Sequence, residues 1–268
     1  MAEATIKKTL GRGRSPLEGR VRSMAFGLHR RRQPKRPYCG AVVPAAGQAL
    51  RMNGQGKLFH ELDGVPLIIH TLTALNVCPD IDEIVAVARP EDLVMLGRLC
   101  REYDITKLRH IVCGGATRAQ SVLNGLMVLS AEAELAAVHD AARPFITPEL
   151  ASAVIRQAAL SGAAAPAVPP KDTVKTAEGG RVTATLSRDA VMLTQTPQVF
   201  NAGLLKGALT RALREDWDIT DDCGAVERMG MTVCLVEGSY ENFKVTTPED
   251  LLLAEALREK SYARRARV

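Results

Sequence analysis

Short apolar runs alternate with helical patterns through the first half of this chain, and no other feature restricts its fold as much. Residues 40–44, 83–88 and 136–139 are rich in Val and Ala and show no strict polar alternation. Runs of this kind are expected of parallel strands covered on both faces. Between them, residues 65–76 place Leu67, Ile68, Leu72 and Leu75 on one helical stripe with Pro66 in the first turn. Residues 91–103 follow Pro90, and residues 120–130 repeat Val122, Leu123, Leu126 and Leu129. A shorter strand is expected at 109–113. The alternation predicts βαβ units and an α/β fold with a doubly wound, mostly parallel sheet, whose ligands sit at the carboxyl ends of the strands.

The rhythm breaks in the second half. Residues 172–176 and 182–186 flank Glu178-Gly179-Gly180 and read as a β-hairpin,. An arm over about residues 169–193 is therefore expected to leave the main body. Its apolar side needs a cover, which favours a homodimer; the alternative is a hairpin folded back on its own domain. Helices follow at 202–215 and 221–229, then a strand at 232–237 and a closing helix at 248–259, with Thr247 as N-cap and Pro248 at its first position,. The expected organisation is one domain over residues 39–262, preceded by an extension at 1–38 and followed by a basic tail at 263–268.

Charge separates the extension from the domain. Residues 1–38 hold eleven Lys/Arg and two Glu, a net of +9; the whole chain carries +5, which leaves −4 for residues 39–268. Dense like charge with Pro and Gly breaks predicts disorder in the extension. Three other readings stay open: an organelle transit peptide (with a plastid location), a true start at Met24, and a nucleic-acid-binding arm, which the scarcity of aromatics disfavours. No apolar run approaches the ~20 residues of a membrane span. The six cysteines form no C-x-x-C pair and the five histidines are scattered. That pattern argues against zinc and for reduced thiols in a cytoplasmic compartment.

The stretch "AVVPAAGQALRMNGQGK", residues 41–57, opens as a strand and continues as a loop of small residues carrying Arg51 and Lys57. It is not a Walker A loop, because Leu58 follows Gly56-Lys57 and Arg51 stands where the first Gly should be,. It is not a dinucleotide fingerprint either, because Ala49 and Met52 replace the second and third Gly. The physics of anion binding remains: backbone N–H groups, an Arg fork and a Lys point charge suit a phosphate whose charge grows during transfer. A solvated surface loop is the plain alternative. Asp140 ends the 136–139 strand, where a carboxylate can hold Mg²⁺ against phosphate oxygens or cap a helix,.

Pro44-Ala45-Ala46-Gly47, Arg51-Met52 and Lys57 resemble the N-terminal signature of nucleotidyltransferases that make activated sugars and alcohols. "GGATRAQSVLNGL", "HDAARP", "KDTVKT", "TQTPQVF", "DITDD" and "ENFKVTTPEDL" narrow the likeness. Together they resemble the 2-C-methyl-D-erythritol 4-phosphate cytidylyltransferase family of the non-mevalonate isoprenoid pathway, from about Tyr38 to about Arg258. Ribitol-5-phosphate cytidylyltransferases share much of the pattern, and a catalytically silent nucleotide-binding subunit is the rival from another class.

The resemblance implies a Rossmann-like nucleotidyltransferase fold, CTP and an alcohol phosphate as ligands, Mg²⁺ as cofactor, and a dimer built through the β-arm. It implies that Arg51 and Lys57 stabilise the transition state and that Ala45, Ala46 and Gly47 line the nucleotide. Gly114, Gly115 and Ser121 would recognise cytosine, and Asp140 would hold the metal. Arg143 would lie near the substrate phosphate, which Thr173, Arg188 and Lys244 would position. Thr220 would be a further substrate contact, or equally the N-cap of the next helix. His139 reads as a packed strand-end residue. Ala49, Gly56, Ala116 and Glu241 depart from the family's usual residues.

Overall fold

The computed structural model describes residues 36–47, 51–52 and 55–265, and the side chains of residues 51–57 and 260–265 are outside that description. The extension up to Lys35, Ala49 and residues 266–268 of the tail lie outside the described residues.

The first strand, β1 (Cys39–Pro44), leads through a short ladder to α1 (Leu67–Val77), then β2 (Glu83–Ala88), α2 (Leu93–Glu102) and β3 (Leu108–Cys113). The chain returns through α3 (Arg118–Met127) to β4 (Leu135–Val138). β1 pairs in parallel with both β2 and β4, and β2 pairs in parallel with β3. The lack of polar alternation has the expected cause. In β1, Cys39, Ala41 and Val43 join the core under α1, α2 and α4 (Pro148–Ser161), while Val42 joins the core under α3.

Three elements were not legible as such: α4, β5 (Ala163–Val168) and β9 (Gln198–Asn201). Thr147 caps α4 by accepting the Leu150 N–H at 3.2 Å. Pro166 sits inside β5, and a proline ordinarily argues against a central strand,. The sheet tolerates it and uses the Pro166 carbonyl to accept the Gln195 N–H at 2.7 Å. β9 runs antiparallel between β4 and β5, and β8 (Leu193–Thr194) runs antiparallel along β5. β10 (Cys234–Glu237) pairs with β5 in parallel. The order is β8–β5–β9–β4–β1–β2–β3, so the expected doubly wound, mostly parallel sheet is present with an antiparallel insertion.

The hairpin is β6 (Lys175–Glu178) and β7 (Arg181–Thr185), somewhat later than the span expected for its first strand. Gly179 and Gly180 alone make the turn, with φ of +54° and +76°. Two consecutive left-handed residues are what a two-residue hairpin loop needs, and glycine supplies them without strain. Every residue of both strands is exposed, and they form their own two-stranded sheet. The arm therefore does not fold back onto its own domain.

After β9, α5 (Ala202–Arg214) and α6 (Asp222–Arg228) cover the α3 face through Leu205, Leu209 and Val226. Asp221, not Thr220, caps α6: its carboxylate accepts the Gly224 N–H at 2.9 Å. Helix α7 (Pro248–Arg265) starts where expected and runs past residue 259. Helix α1 starts at Leu67 rather than 65, because Val65–Pro66 pairs with Glu61–Leu62.

Candidate active site

The sheet reverses direction at β1: β2 and β3 continue to one side, and β4 lies on the other. α1 and α2 pack on one face and α3 on the opposite one, so a crevice opens at the carboxyl ends of β1 and β4,. A cleft of about 480 Å³ lies there, within the range of small-ligand sites,. Its walls are Pro44 to Gly47 after β1, Gly115 to Arg118 with Ser121 around the start of α3, and Asp140 to Ala142 after β4; Leu58 and Lys244 complete it.

Asp140 is the electrostatic centre. It is 7% exposed. Lys244 Nζ stands 3.2 Å from Oδ2, Arg143 Nε 3.3 Å from Oδ2, and Arg118 Nη2 3.6 Å from Oδ1. Burial alone would raise this carboxyl, but the three cations outweigh it and hold the pKa down at about 2,. The group is an anion at any working pH. Its backbone N–H donates to Thr196 Oγ1 at 3.1 Å, so it lies in a turn and caps no helix.

The cations are held by neighbouring loops. Arg143 Nη1 donates to the Asn242 carbonyl at 2.8 Å, and Asn242 Nδ2 donates to the Thr196 carbonyl at 2.9 Å. Beside Lys244, Val245 is fully buried and its N–H donates to the Ala142 carbonyl at 2.9 Å. Residues from three separate stretches of chain thus fix one carboxylate and its partners. His139 is fully buried, and burial lowers its pKa to about 4 against the pull of Asp140. Being neutral, it donates from Nε2 to the Arg143 carbonyl and accepts the Thr196 hydroxyl at Nδ1, at 3.3 and 3.1 Å. It is the packed histidine that the sequence suggests.

The glycine segment has a packing reason as well. A Cβ on Gly114 would collide with Ala46 Cβ, and one on Gly115 would collide with Gln120. These glycines bring the loop before α3 against the loop after β1. Thr117 caps α3 by accepting the Gln120 N–H at 3.1 Å. Ser121 lines the cleft, and its hydroxyl accepts the Gly115 N–H at 3.0 Å and donates to the Thr117 carbonyl at 2.9 Å.

Of the residues singled out from sequence, Ala45, Ala46, Gly47, Gly115, Ser121, Asp140 and Lys244 line the cleft, and Arg143 backs it. Gly114 forms the contact beneath it. Thr173, Arg188 and Thr220 are exposed and line no part of it. Arg51 and Lys57 are described only in backbone: Arg51–Met52 pairs with Gln55–Gly56, and Lys57 opens a turn whose Leu58 reaches the cleft. Among the described residues no cluster of three or more His, Cys, Asp or Glu could hold a metal. Asp140 is the carboxylate candidate in the cleft, and Mg²⁺ held by one or two carboxylates together with phosphate oxygens fits such a site,.

Sequence reasoning passed over Arg118 and Asp222. Arg118 is the first residue of α3 and lies 2.8 Å from Asp222 Oδ2. The signal was available: a cation on the glycine segment and a second acid in "DITDD". What links them is a contact between α3 and α6, which no local pattern encodes.

Known proteins share this arrangement of elements. The family model described as 2-C-methyl-D-erythritol 4-phosphate cytidylyltransferase matches residues 39–260. A protein of that name from Syntrophus aciditrophicus is 41% identical over 232 residues, covering 85% of this chain and 99% of the relative. Another from Halalkalibacterium halodurans is 43% identical over 217 residues, covering 81% and 95%. The crystal structure of 4-diphosphocytidyl-2C-methyl-D-erythritol synthase from Anaerococcus prevotii superposes with a TM-score of 0.75 at 32% identity, covering 83% of this chain and 96% of that one. The 2-C-methyl-D-erythritol 4-phosphate cytidylyltransferase of Thermus thermophilus gives 0.69 at 36% identity, covering 82% and 98%. With a match that spans the sheet and all its crossovers, and relatives covered almost end to end, this chain belongs to the 2-C-methyl-D-erythritol 4-phosphate cytidylyltransferase family.

Proposed function

We propose that this enzyme transfers CMP from CTP to 2-C-methyl-D-erythritol 4-phosphate, giving 4-diphosphocytidyl-2-C-methyl-D-erythritol and pyrophosphate. The observation that carries the reading is one ionised carboxylate, Asp140, ringed by Lys244, Arg143 and Arg118 at the switch point of the sheet. An oxygen of the alcohol phosphate attacks the α-phosphorus of CTP, and the bond to the bridging β-oxygen breaks to release pyrophosphate. The attacking phosphate is already ionised at neutral pH, so no general base is needed. His139, neutral with a pKa of about 4 and fully buried, fits that economy. The protein's task is to bring two polyanions together and to stabilise charge on the phosphoryl oxygens.

The family likeness and the cleft together support the following roles. Asp140 would hold Mg²⁺ together with the triphosphate; the ion supplies charge neutralisation there. Arg51 and Lys57, on the loop after β1, stabilise the transition state at the α-phosphate. Ala45, Ala46, Gly47, Gly114, Gly115 and Ser121 shape the pyrimidine end. Lys244 and Arg143 address the phosphate of the alcohol. Thr173 and Arg188 lie on the exposed arm and serve the site of a second subunit in a homodimer. That arm carries Val182 and Leu186 at 64% and 39% exposure, apolar surface that a partner would cover,. Thr220 is a further substrate contact beside Asp221. Six free cysteines and the absence of a membrane-length apolar helix among the described residues agree with a cytoplasmic setting, or a plastid if the extension is a transit peptide.

A pyrophosphate-release assay with CTP, Mg²⁺ and a panel of alcohol phosphates tests the reading. Turnover with 2-C-methyl-D-erythritol 4-phosphate well above that with ribitol 5-phosphate is expected. Preference for ribitol 5-phosphate would move the substrate, and CTP binding without any release would make the chain a silent nucleotide-binding subunit.

A further inference from the structure

Asp222 is a fully enclosed carboxylate beside the cleft that no role assigned above uses. It lines none of the cleft, whereas its partner Arg118 does. The two are an ion pair at 2.8 Å, and neither oxygen of Asp222 accepts a well-formed hydrogen bond from any other described group. Its position is nonetheless fixed from behind. Gln198 Oε1, on β9, accepts the N–H groups of Asp222 and Cys223 at 3.0 and 3.1 Å. Gln198 Nε2 donates to the capping carboxylate of Asp221 at 2.7 Å.

Such a pair is a poor way to stabilise a fold. Two charges lose their hydration, and well-packed apolar side chains of similar volume often serve stability as well or better. What the pair does offer is control of a guanidinium. Arg118 has a second anionic neighbour: the same Nη2 that meets Asp222 lies 3.6 Å from Asp140 Oδ1. Without Asp222, Asp140 would be its strongest partner, and the fork would close onto the carboxylate that the nucleotide end of the site needs. Burial and the two carboxylates act in opposite directions on Arg118, and the carboxylates prevail, so the group stays charged.

We propose that Asp222 is a positioning residue for nucleotide binding: it keeps Arg118, which already neighbours Asp140 at 3.6 Å, from closing fully onto that carboxylate, and presents the guanidinium to the anionic CTP in the cleft. The proposal rests on the cytidylyltransferase reading and extends it to a residue outside the cleft. Arg118 lines the cleft directly after the glycine segment to which the proposed function gives the pyrimidine end, so the effect is expected on CTP rather than on the alcohol phosphate. A rigid planar fork is required, and a lysine at the same position is no equivalent.

The test is steady-state kinetics with each substrate varied, together with calorimetric binding of CTP and thermal melting. Asp222→Asn keeps the shape and removes the charge. It is expected to raise KM and Kd for CTP by about tenfold or more, with KM for the alcohol phosphate changed less than about threefold. Arg118→Lys leaves a cation against the buried carboxylate and is expected to weaken CTP to a similar degree while melting close to the parent. It carries the test if Asp222→Asn does not fold. In a background of Arg118→Ala, adding Asp222→Asn should cost CTP binding nothing further. A lowered melting temperature with unchanged CTP affinity in either single variant would make the pair purely structural and overturn the proposal, as would additive losses in the double variant. If the parent itself neither bound CTP nor released pyrophosphate, the activity reading would fail first; a fully active parent with an indifferent Asp222→Asn defeats only this inference.

Discussion

Two parts of the molecule are assigned to one reaction and are built on opposite physics. Around Asp140 the chain closes in: three cations converge on a carboxylate that is 7% exposed, Lys244 from the solvent side, and the loops carrying them are tied by backbone and amide hydrogen bonds. The hairpin β6–β7 is exposed along its whole length and forms its own two-stranded sheet. The first region is finished within one subunit. The second leaves apolar surface exposed, at Val182 on β7 and Leu186 just beyond it. A site that must exclude water for its chemistry can borrow reach from an arm, but it cannot borrow its charge centre.

The sharpest way to break this contrast is at the centre. Asp140→Ala leaves Lys244 and Arg143 without their shared anion and removes the metal candidate; turnover is expected to fall by roughly a thousandfold in a pyrophosphate-release assay. A variant retaining near-parental turnover would place the charge centre elsewhere. Arg51→Ala and Lys57→Ala are next, each expected to lower kcat by roughly a hundredfold with an unchanged circular dichroism spectrum; normal kcat in both would remove the loop from the chemistry.

At the arm the losses should be smaller and one-sided. Arg188→Ala is expected to raise KM for the alcohol phosphate about tenfold and to leave KM for CTP nearly unchanged. An equal loss for both substrates would show that the arm has no substrate of its own. Deleting the exposed strands should yield a folded monomer by sedimentation, and a dimer that survives the deletion would give the interface to another surface.

The last effect concerns stability rather than turnover, and its variable is pH. His139 binds its proton at about 4 in the folded protein against an ordinary 6.5. The unfolded chain therefore protonates first, and stability falls as the pH drops from 6.5 toward 4, by roughly 3 kcal/mol across the whole span. Asp140, held at about 2 against 3.8, adds its loss only below about 4, as the unfolded carboxyl protonates and the folded one does not. Metal-free melts of His139→Gln should be flatter than the parent between pH 6.5 and 5; parallel curves would contradict a neutral buried imidazole.

The enclosed region was also the more legible one. β1, β2 and β4 announce themselves because both faces are buried and nearly every position is apolar, Glu83 at the start of β2 being the exception. Asp140 was readable because it ends such a strand. Pro166 disguised β5, and β9 was masked by its place in an antiparallel insertion that breaks the βαβ rhythm. Thr220 and Asp221 are adjacent and both can cap a helix, so composition could not choose the one that does. Arg118 and Asp222 escaped because their meaning lies in each other, across two helices that are distant in sequence.

The contact between Ala46 and Gly114 reaches beyond packing. Gly114 has no room for a methyl against the Ala46 side chain, so the two loops act as close-set jaws and limit how wide the opening can be. Enlarging residue 114 is therefore no route to a new ligand preference. Redesign for another base has more freedom at a position that lines the opening and still faces solvent, such as Ala116.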